Sequence, residues 1–432
     1  MRPKIAFIGA GSVVFTQGLL ADLYAYPELK DARIALHDID PERLRVAEAV
    51  AHRVAAARGV DASVVATLGR REALAGADFV INTVQVGGYA ATAADFEIPA
   101  RYGLRQTIAD TIGVGGIFRA LRTFPILDAL AADVRAECPD ALVLNYTNPM
   151  AMNVWYLTGK VRNLVGLCHS VYWTMQGLSD LVSVPYESVS YLAAGVNHQA
   201  WVLRFEAAGE NLYDRLDALI AADPELRRRV RIELYRRLGH YPTETSEHSA
   251  EYLPWMLRHD DEIARLRIPV DAYLGISREN VREFERTRDA VRAGTDVAVE
   301  GSNEYAPQII HSMVTGTPRL VYGNVRNYGL IANLPSDAVV EVPCTVSSAG
   351  VSPLPVGALP PQCAALNRTY VSVNELTVRA AVEGRPEHVR HAMMVDPNTS
   401  AALSLDQIWR LADELTLAHG PLLPEPLRVT LA

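Results

Sequence analysis

Cysteine is scarce in this chain, long apolar runs are missing, and positive charge is not in excess. Only four cysteines occur in 432 residues, and none of them form a Cys-x-x-Cys pair. This usage is typical of a protein in the reducing cytoplasm and not of one built on disulfides. No apolar run approaches the roughly eighteen residues of a membrane span, and we expect no signal peptide. The net charge of −9 argues against nucleic acid or an anionic membrane as the main partner. We therefore expect a cytoplasmic globular protein.

The amount of apolar sequence is sufficient for a large core. Hydrophobic residues make up 49% of the chain and charged residues 21%, which is typical of folded domains. The length allows two domains, or one large domain with extensions.

The first half of the chain alternates strand and helix patterns. Strands alternating with helices are typical of a parallel, doubly wound α/β sheet, and right-handed crossovers restrict this half to a Rossmann-like layout. The apolar runs that predict strands are 5–9, 33–38, 63–67, 78–83 and 141–146.

The second half has a different pattern. Charged helical sequence covers 209–238 and 250–295, mixed strands and turns cover 318–357, and a terminal amphipathic helix covers 406–417. We predict a Rossmann-like NAD-binding domain over residues 1–195. A C-terminal α+β domain for substrate binding and oligomerisation is predicted over residues 196–432.

Glycines lie in the turn that follows the first predicted strand. The motif Gly9-Ala10-Gly11-Ser12 would let backbone amides approach a pyrophosphate at a helix N-terminus. Val14 stands where the usual fingerprint has a third glycine. Asp38 ends the second strand, where an acid binds a ribose hydroxyl and disfavours the 2′-phosphate of NADP. The pattern predicts an NAD site, with a glycine turn that binds no nucleotide as the alternative.

A thiol and two imidazoles follow two later strands. Cys168-His169 comes directly after the apolar run 163–167, and His198 follows the apolar stretch 191–196. The carboxyl ends of parallel strands face the ligand crevice, and one thiolate with one imidazole would leave open positions on a metal. The alternatives are a cysteine that acts as a small buried hydrophobe and a histidine satisfied within the core.

Seven sequence blocks, in the right order, carry a resemblance to one enzyme family. They are residues 7–12, 108–116, 145–153, 166–171, 194–198, 246–255 and 322–327. Through these blocks the chain resembles, from end to end, the NAD- and metal-dependent family 4 glycoside hydrolases, and most of all their melibiase-type α-galactosidases. The resemblance implies a glycosidase with a small-molecule glycoside as substrate and with NAD and Mn²⁺, or another divalent metal, as cofactors.

The resemblance also implies an unusual route to hydrolysis, since this family does not use the pair of carboxylates found in most glycosidases. NAD⁺ takes a hydride from the sugar C3, and a base removes the acidified C2 proton. The C1–oxygen bond then breaks by elimination, water adds, and the hydride returns, so no net redox change occurs.

The matched blocks suggest residues for the metal, the sugar and the cofactor. Cys168 and His198 would hold the metal. Asn148 would contact sugar hydroxyls or the metal region, with a simple turn asparagine as the alternative. Arg326 would contact the substrate. The cofactor-binding residues would be Gly9, Gly11, Ser12, Asp38 and Thr83.

Acid–base residues follow from the same comparison. His169 stands where phospho-sugar members carry the acid that protonates the leaving group, and Asp110 where an acid raises the basicity of the C2 base. His248 stands opposite the tyrosine base of those members, and Tyr252 follows one helical turn later, so either could be the base. The alternatives are a structural His169, a helix-capping Asp110 and a structural Tyr252.

The expected substrate carries no phosphate. Thr92 replaces the arginine of phospho-specific members, and no other basic residue lies between Gly87 and Ala100, so a bidentate phosphate contact is missing. We expect an unphosphorylated α-galactoside. The segment 171–173 departs from the melibiase-type pattern, so an α-glucuronide or an α-galacturonide is the alternative.

Two other classes of protein remain open at this point. An ordinary NAD-dependent 2-hydroxy acid dehydrogenase would share the glycine turn but would consume NAD stoichiometrically. A non-catalytic sensor would bind NAD without turnover. For the chain itself we expect a homodimer or a homotetramer.

Overall fold

Thirteen strands form one continuous sheet in the computed structural model of the chain, which describes residues 2–295 and 299–432. In chain order the strands are β1 (Lys4–Ile8), β2 (Arg33–His37), β3 (Ser63–Thr67), β4 (Phe79–Asn82), β5 (Leu142–Asn145), β6 (Asn163–Gly166), β7 (Val189–Val196), β8 (Gln199–Ala207), β9 (Glu210–Asn211), β10 (Tyr241–Pro242), β11 (Arg319–Arg326), β12 (Val339–Ser347) and β13 (Gly350–Pro353).

The helices lie between these strands and at the C-terminal end. They are α1 (Val13–Leu23), α2 (Pro41–Ala57), α3 (Arg70–Leu74), α4 (Gly88–Arg101), α5 (Gly113–Glu137), α6 (Met150–Leu157), α7 (Ser170–Leu181), α8 (Leu212–Ala222), α9 (Val230–Leu238), α10 (Ser246–Glu251), α11 (Asp260–Leu266), α12 (Ala272–Ala293), α13 (Tyr305–Thr315), α14 (Pro361–Glu383), α15 (Pro386–Val395), α16 (Pro397–Ala402) and α17 (Leu405–His419).

Six parallel strands form one half of the sheet in the order β3-β2-β1-β4-β5-β6. This is the strand order of a dinucleotide-binding Rossmann fold, so the predicted fold of the first half is confirmed. The strands are apolar because helices cover both faces of a parallel sheet; Ile5, Ala6 and Phe7 of β1 are fully buried.

The second half of the chain extends the same sheet with antiparallel strands. β11 pairs with β6, β12 with β11, β7 with β12 and β8 with β7. The boundary at residue 195 stays a prediction, since the sheet continues through it. Among the described residues, no helix is both long and apolar enough to cross a membrane.

The helical pattern over 209–238 is interrupted in the structure. α8 ends at Ala222 and α9 begins at Val230, with a 3₁₀ turn over Pro224–Arg228 between them. Asp223 caps that turn by accepting the amide of Glu225. Because proline lacks the amide that a continuing helix needs, one long helix is replaced by two.

Candidate active site

The glycine turn lies at the carboxyl end of β1, against the end of β4. Gly9 has φ +90°, and a Cβ there would lie 2.9 Å from the carbonyl carbon of Thr83, so this position requires glycine. The amide of Gly11 donates to Asp38 Oδ2 at 2.8 Å. A Cβ on Gly11 would meet the same oxygen at 2.5 Å. The turn is therefore tightly packed against the acid at the end of β2.

Three other predicted cofactor residues lie around this turn. Asp38 is partly exposed, so its carboxylate is accessible beside the turn. Ser12 is exposed at the N-terminus of α1, and its side chain does not cap its own helix. Thr83 donates its hydroxyl to the carbonyl of Gly9 at 3.0 Å. Thr83 thus holds the turn in place, whereas Ser12 and Asp38 present polar groups to the crevice.

Three potential metal ligands meet where β6 ends. Ligand atoms of Cys168, His198 and Glu244 lie within 4.8 Å of one another, the one such group found in residues 2–295 and 299–432. Glu244 Oε2 lies 3.6 Å from Cys168 Sγ and 3.6 Å from His198 Nε2. Donor atoms that share an ion with bonds of about 2.0–2.3 Å are separated by similar distances. The structure therefore brings the two predicted ligands together and adds a carboxylate.

Each ligand comes from a different local structure. Cys168 follows β6, His198 lies in the two-residue turn between β7 and β8, and Glu244 lies between β10 and α10. Glu244 has φ +69°, a strained conformation of the kind that concentrates at functional sites. Its amide donates to Thr174 of α7 at 3.1 Å, which fixes this loop beside the helix that follows Cys168.

Sequence reasoning did not identify Glu244. The signal available was its spacing, four residues before His248 and within reach of the same helical face. The side chains are 3.9 Å apart, from His248 Nδ1 to Glu244 Oε1. Glu244 itself precedes α10, so the indicator is the four-residue spacing and not a shared helical turn.

Burial sets the protonation of the ligands. It lowers the pKa of His198 to about 4, so the imidazole is neutral and its nitrogen lone pair is available to a metal. Burial, with the charges of Glu244 and Glu341, raises the pKa of Cys168 well above its usual value. A cation that binds here would therefore displace the thiol proton.

Asp110 and His248 form an ion pair beside this cluster. His248 Nε2 lies 3.7 Å from Asp110 Oδ1, and Asn148 Nδ2 donates to Asp110 Oδ2 at 3.0 Å. Burial would raise the pKa of Asp110, but the neighbouring His248 and the charge of Arg119 lower it to about 2. Burial would likewise lower the pKa of His248, but Asp110 and Glu244 raise it to about 9.

A buried carboxylate, that of Glu251, fixes the backbone of the loop that carries Asp110. Glu251 accepts the backbone amides of Thr107 and Ala109, both at 2.9 Å, and that of Ile108 at 3.1 Å. The same helix, α10, carries His248. One helix thus positions both members of the ion pair.

Tyr252 lies behind the site rather than in it. It is 1% exposed, its hydroxyl accepts the backbone amide of His198 at 3.3 Å, and its ring packs edge-on against Tyr370. The geometry gives Tyr252 the role of supporting the His198 turn.

Arg326 is not brought to the cluster. Asn324 pairs with Gly166 in the antiparallel register, so Arg326 lies toward the amino end of β6, away from Cys168. Its guanidinium pairs with Asp337 at 2.5 Å. The sequence block that matches the family is present, but its arginine lies toward the amino ends of the parallel strands, whereas the cluster lies at their carboxyl ends.

His169 is paired with an acid that sequence reasoning also missed. His169 Nδ1 lies 2.5 Å from Oε1 of Glu304, which is 3% exposed at the start of α13. Burial opposes the charged imidazolium, but the Glu304 hydrogen bond raises the pKa of His169. Nearly half of the His169 side chain is exposed, so it can face a bound molecule.

Comparison with known proteins gives a consistent picture. The family 4 glycosyl hydrolase model matches residues 4–184, and the model of its C-terminal domain matches residues 193–399. An α-galactosidase of Bacillus subtilis (strain 168) is 42% identical, over 98% of this chain and 99% of that protein. An α-galactosidase of Rhizobium meliloti (strain 1021) is 36% identical, over 98% and 89%.

A solved structure shares the whole fold. The 6-phospho-β-glucosidase of Thermotoga maritima, crystallised with manganese, NAD⁺ and glucose-6-phosphate, superposes with a TM-score of 0.81 at 22% identity, over 97% of this chain and 99% of that one. The match of both halves to one glycosidase family decides against the ordinary dehydrogenase considered above. The two family models together match residues 4–184 and 193–399, and the chain therefore belongs to glycosyl hydrolase family 4.

Proposed function

We propose that the chain is an α-galactosidase that hydrolyses unphosphorylated α-galactosides with NAD and Mn²⁺. The observation that carries this proposal is the cluster of Cys168, His198 and Glu244 at the same sheet edge as the glycine turn, in a chain that is 42% identical to an α-galactosidase over almost its full length.

The residues of the site fit both NAD and a divalent metal. A Cβ on Gly9 or Gly11 would collide with Thr83 or Asp38, so the turn has the tightness that a dinucleotide-binding fingerprint requires. The Glu244 carboxylate adds a hard oxygen ligand, which Mn²⁺ prefers, to the softer thiolate and imidazole. When bound, NAD would accept and return the C3 hydride, and the metal would polarise the oxygens of C2 and C3.

His248 is the proposed base for the C2 proton. Against the effect of burial, Asp110 and Glu244 raise its pKa to about 9 in the metal-free protein, so it must lose a proton before it can act as a base. A cation bound to Glu244 would offset one of the charges that raise this pKa and would favour the neutral imidazole. Its ring stacks on that of the ligand His198, with centroids 4.8 Å apart, so it faces the position where a sugar held at the cluster would lie. Asp110 supports its far nitrogen. Tyr252 would have to leave a buried hydrogen bond to act, so the geometry favours His248.

His169 is the proposed acid for the leaving group. It follows the ligand Cys168 directly, and its pairing with Glu304 through Nδ1 leaves Nε2 to donate to an oxygen of the substrate. Two imidazoles on different sides of one metal cluster can thus serve as base and acid.

The absence of a phosphate contact is supported by the position of Thr92. Its side chain is buried, and its hydroxyl donates to the carbonyl of Gly88 at 3.2 Å within α4. It therefore offers no charged or exposed group to a substrate phosphate, which would be costly to bury without a partner.

A second candidate substrate is an α-hexuronide, and Arg119 favours it. Arg119 is 8% exposed and donates a guanidinium N–H to the hydroxyl of Tyr273 at 3.3 Å. Its positive charge helps to lower the pKa of the nearby Asp110. A cation in this position could pair with a sugar carboxylate.

A substrate panel tests the proposal. Protein supplied with NAD⁺, Mn²⁺ and a thiol reductant is assayed with 4-nitrophenyl α- and β-galactosides, the α-glucuronide, the α-galacturonide and the 6-phosphogalactoside. The α-galactoside should have the highest kcat/KM, and chelation of the metal should abolish it. A higher kcat/KM on a uronide keeps the family chemistry and replaces the galactosidase assignment, whereas preference for the phosphoglycoside refutes the role given to Thr92.

Three further properties belong to the proposal. The protein is cytoplasmic, it forms a homodimer or a homotetramer, and its domains meet near residue 195. All four cysteines are free and buried, which suits a reducing compartment. Light scattering after size exclusion tests the oligomer, and limited proteolysis tests the boundary.

A further inference from the structure

We propose that Trp173 is the surface on which the leaving group of the glycoside stacks, and that the enzyme therefore prefers leaving groups with a flat ring, a pyranose above all, to small alkyl groups. This inference deepens the proposed function, because it takes His169 to mark the side of the cluster from which the leaving group departs.

Trp173 lies one helical turn after His169. Its amide donates to the carbonyl of His169 at 3.0 Å, so the two residues occupy the same face of the helix start. Helical side chains lean toward the N-terminus and cover the preceding turn. The Trp173 side chain therefore extends toward the exposed imidazole, and the residue itself is 46% exposed.

An aromatic cluster holds the indole in a fixed orientation. Trp173 meets the ring of Tyr172 edge-on with centroids 5.0 Å apart, and Tyr172 meets Tyr186 in the same way at 5.3 Å. The hydroxyls of Tyr186 and Tyr191 are hydrogen-bonded at 2.9 Å. An exposed tryptophan needs no explanation by itself, but Trp173 packs on Tyr172, which is itself held by Tyr186, so it presents an ordered apolar plane.

The same helix is attached to the metal-ligand loop. The hydroxyl of Thr174, the next residue, accepts the amide of Glu244 and a guanidinium N–H of Arg231, both at 3.1 Å. Trp173 thus keeps a fixed place relative to the Cys168–His198–Glu244 cluster as well as to His169. When the C1–oxygen bond breaks and His169 protonates the glycosidic oxygen, the departing aglycone would lie over this indole.

The expected ligand follows from the chemistry of the surface. An indole plane offers a large apolar area and little hydrogen bonding, which suits the apolar face of a pyranose or an aryl ring. A methyl aglycone would gain almost nothing there. The preference should therefore appear as a difference in kcat/KM between substrates that share one glycone and differ in the aglycone.

The test compares α-galactosyl-1,6-glucose with methyl α-galactoside in the full-length enzyme loaded with NAD⁺ and Mn²⁺. Trp173→Ala should lower kcat/KM on the disaccharide about five- to tenfold and change it less than twofold on the methyl glycoside. Trp173→Phe, which keeps a ring, should recover most of the loss. Trp409→Ala, which alters a partly exposed tryptophan of α17 that packs near Arg390, should leave the ratio between the two substrates unchanged.

A binding measurement separates this inference from the proposed function. Disaccharide should quench or shift the tryptophan fluorescence of the wild type, and Trp173→Phe should abolish that change. If the wild type turns over uronides instead, the same comparison is made with the methyl and the sugar-linked uronide. Equal losses on both aglycones, or no loss, together with an unchanged fluorescence response in Trp173→Phe, would overturn the role of Trp173 whichever glycone is cleaved.

Discussion

His169 Nδ1 lies 2.5 Å from Glu304 Oε1, and this pair joins two distant parts of the chain at the edge of the metal cluster. Glu304 precedes α13, whose residue Ala306 donates its amide to the buried hydroxyl of Tyr146. The carboxylate is thus fixed within the core, whereas the imidazole is partly exposed. This arrangement orients Nε2 of His169 toward the crevice.

Changing Glu304→Gln should impair protonation of the leaving group. We expect kcat to fall about tenfold to a hundredfold on methyl α-galactoside, because general acid catalysis typically contributes a factor of about 10²–10⁴ and the imidazole remains in place. 4-Nitrophenyl α-galactoside needs little help from an acid and should lose much less. Rates over a series of leaving groups measure the difference.

The matched control is Glu300→Gln, because Glu300 is exposed nearby in sequence; its rates should match those of the wild type. Equal losses of Glu304→Gln on both substrates would instead indicate a structural role for Glu304.

Changing Glu244→Gln should weaken the metal site. The amide keeps the size of the side chain but removes the charge and the strong oxygen ligand, so Mn²⁺ affinity should fall at least tenfold. Electron paramagnetic resonance of free Mn²⁺ during a titration gives the affinity without reference to activity. The control is Glu247→Gln, because Glu247 lies in the first turn of α10 but outside the cluster. This variant should bind Mn²⁺ normally. An unchanged affinity in Glu244→Gln would remove this residue from the ligand set, leaving Cys168 and His198.

Adding one methyl group to the glycine turn should block the cofactor. A Cβ on Gly11 would lie 2.5 Å from Asp38 Oδ2 and 2.7 Å from Arg43 Cβ, so Gly11→Ala must displace the acid or the turn. NADH fluorescence titration should show at least a tenfold loss of affinity. Gly177→Ala places a methyl where no atom lies within 4 Å and should leave NADH binding intact. Wild-type affinity in Gly11→Ala would show that the turn does not contact the cofactor.

The residues that follow parallel strands could be identified from the sequence, because apolar runs mark strands and their carboxyl ends share one edge. Cys168 and the glycine turn can be identified in this way, and both lie at the carboxyl ends of strands in the parallel half of the sheet. Glu244 and Glu304 could not be found in this way. They lie in connections whose positions depend on the packing of α7, α10 and α13. The spacing of Glu244 before His248 indicates that the two are close but does not indicate a metal ligand, and Glu304 has no such signal.

A matching motif also does not fix which way a side chain faces. Arg326 ends an antiparallel strand, so the same block that supports family membership places its guanidinium beside Asp337. Tyr252 lies one turn beyond His248, but its ring enters the core against Tyr370. In both cases long-range strand pairing or core packing decides the outcome, and these contacts join residues far apart in sequence.

A buried ion network connects the three helices α4, α5 and α17. Asp95 of α4 accepts from Arg122 of α5 at 2.7 Å and pairs with His419 of α17 at 2.8 Å, and all three side chains are at most 2% exposed. Arg122 also donates to the carbonyl of Val86 at 3.0 Å, in the loop that leads into α4. The network therefore ties the C-terminal helix to the loop after β4.

Removal of Asp95 should be the most destabilising of these changes. Asp95→Ala would leave the guanidinium of Arg122 buried without a counter-charge, and breaking a buried pair in this way costs about 3–5 kcal/mol in the free energy of unfolding. Glu414→Gln removes an exposed partner of Arg101 and should cost about 0–1 kcal/mol. Denaturant and thermal unfolding of both variants give the comparison. If Asp95→Ala unfolds with the same midpoint as Glu414→Gln, the network contributes no more than a surface pair, and Arg122 must find other partners once Asp95 is gone.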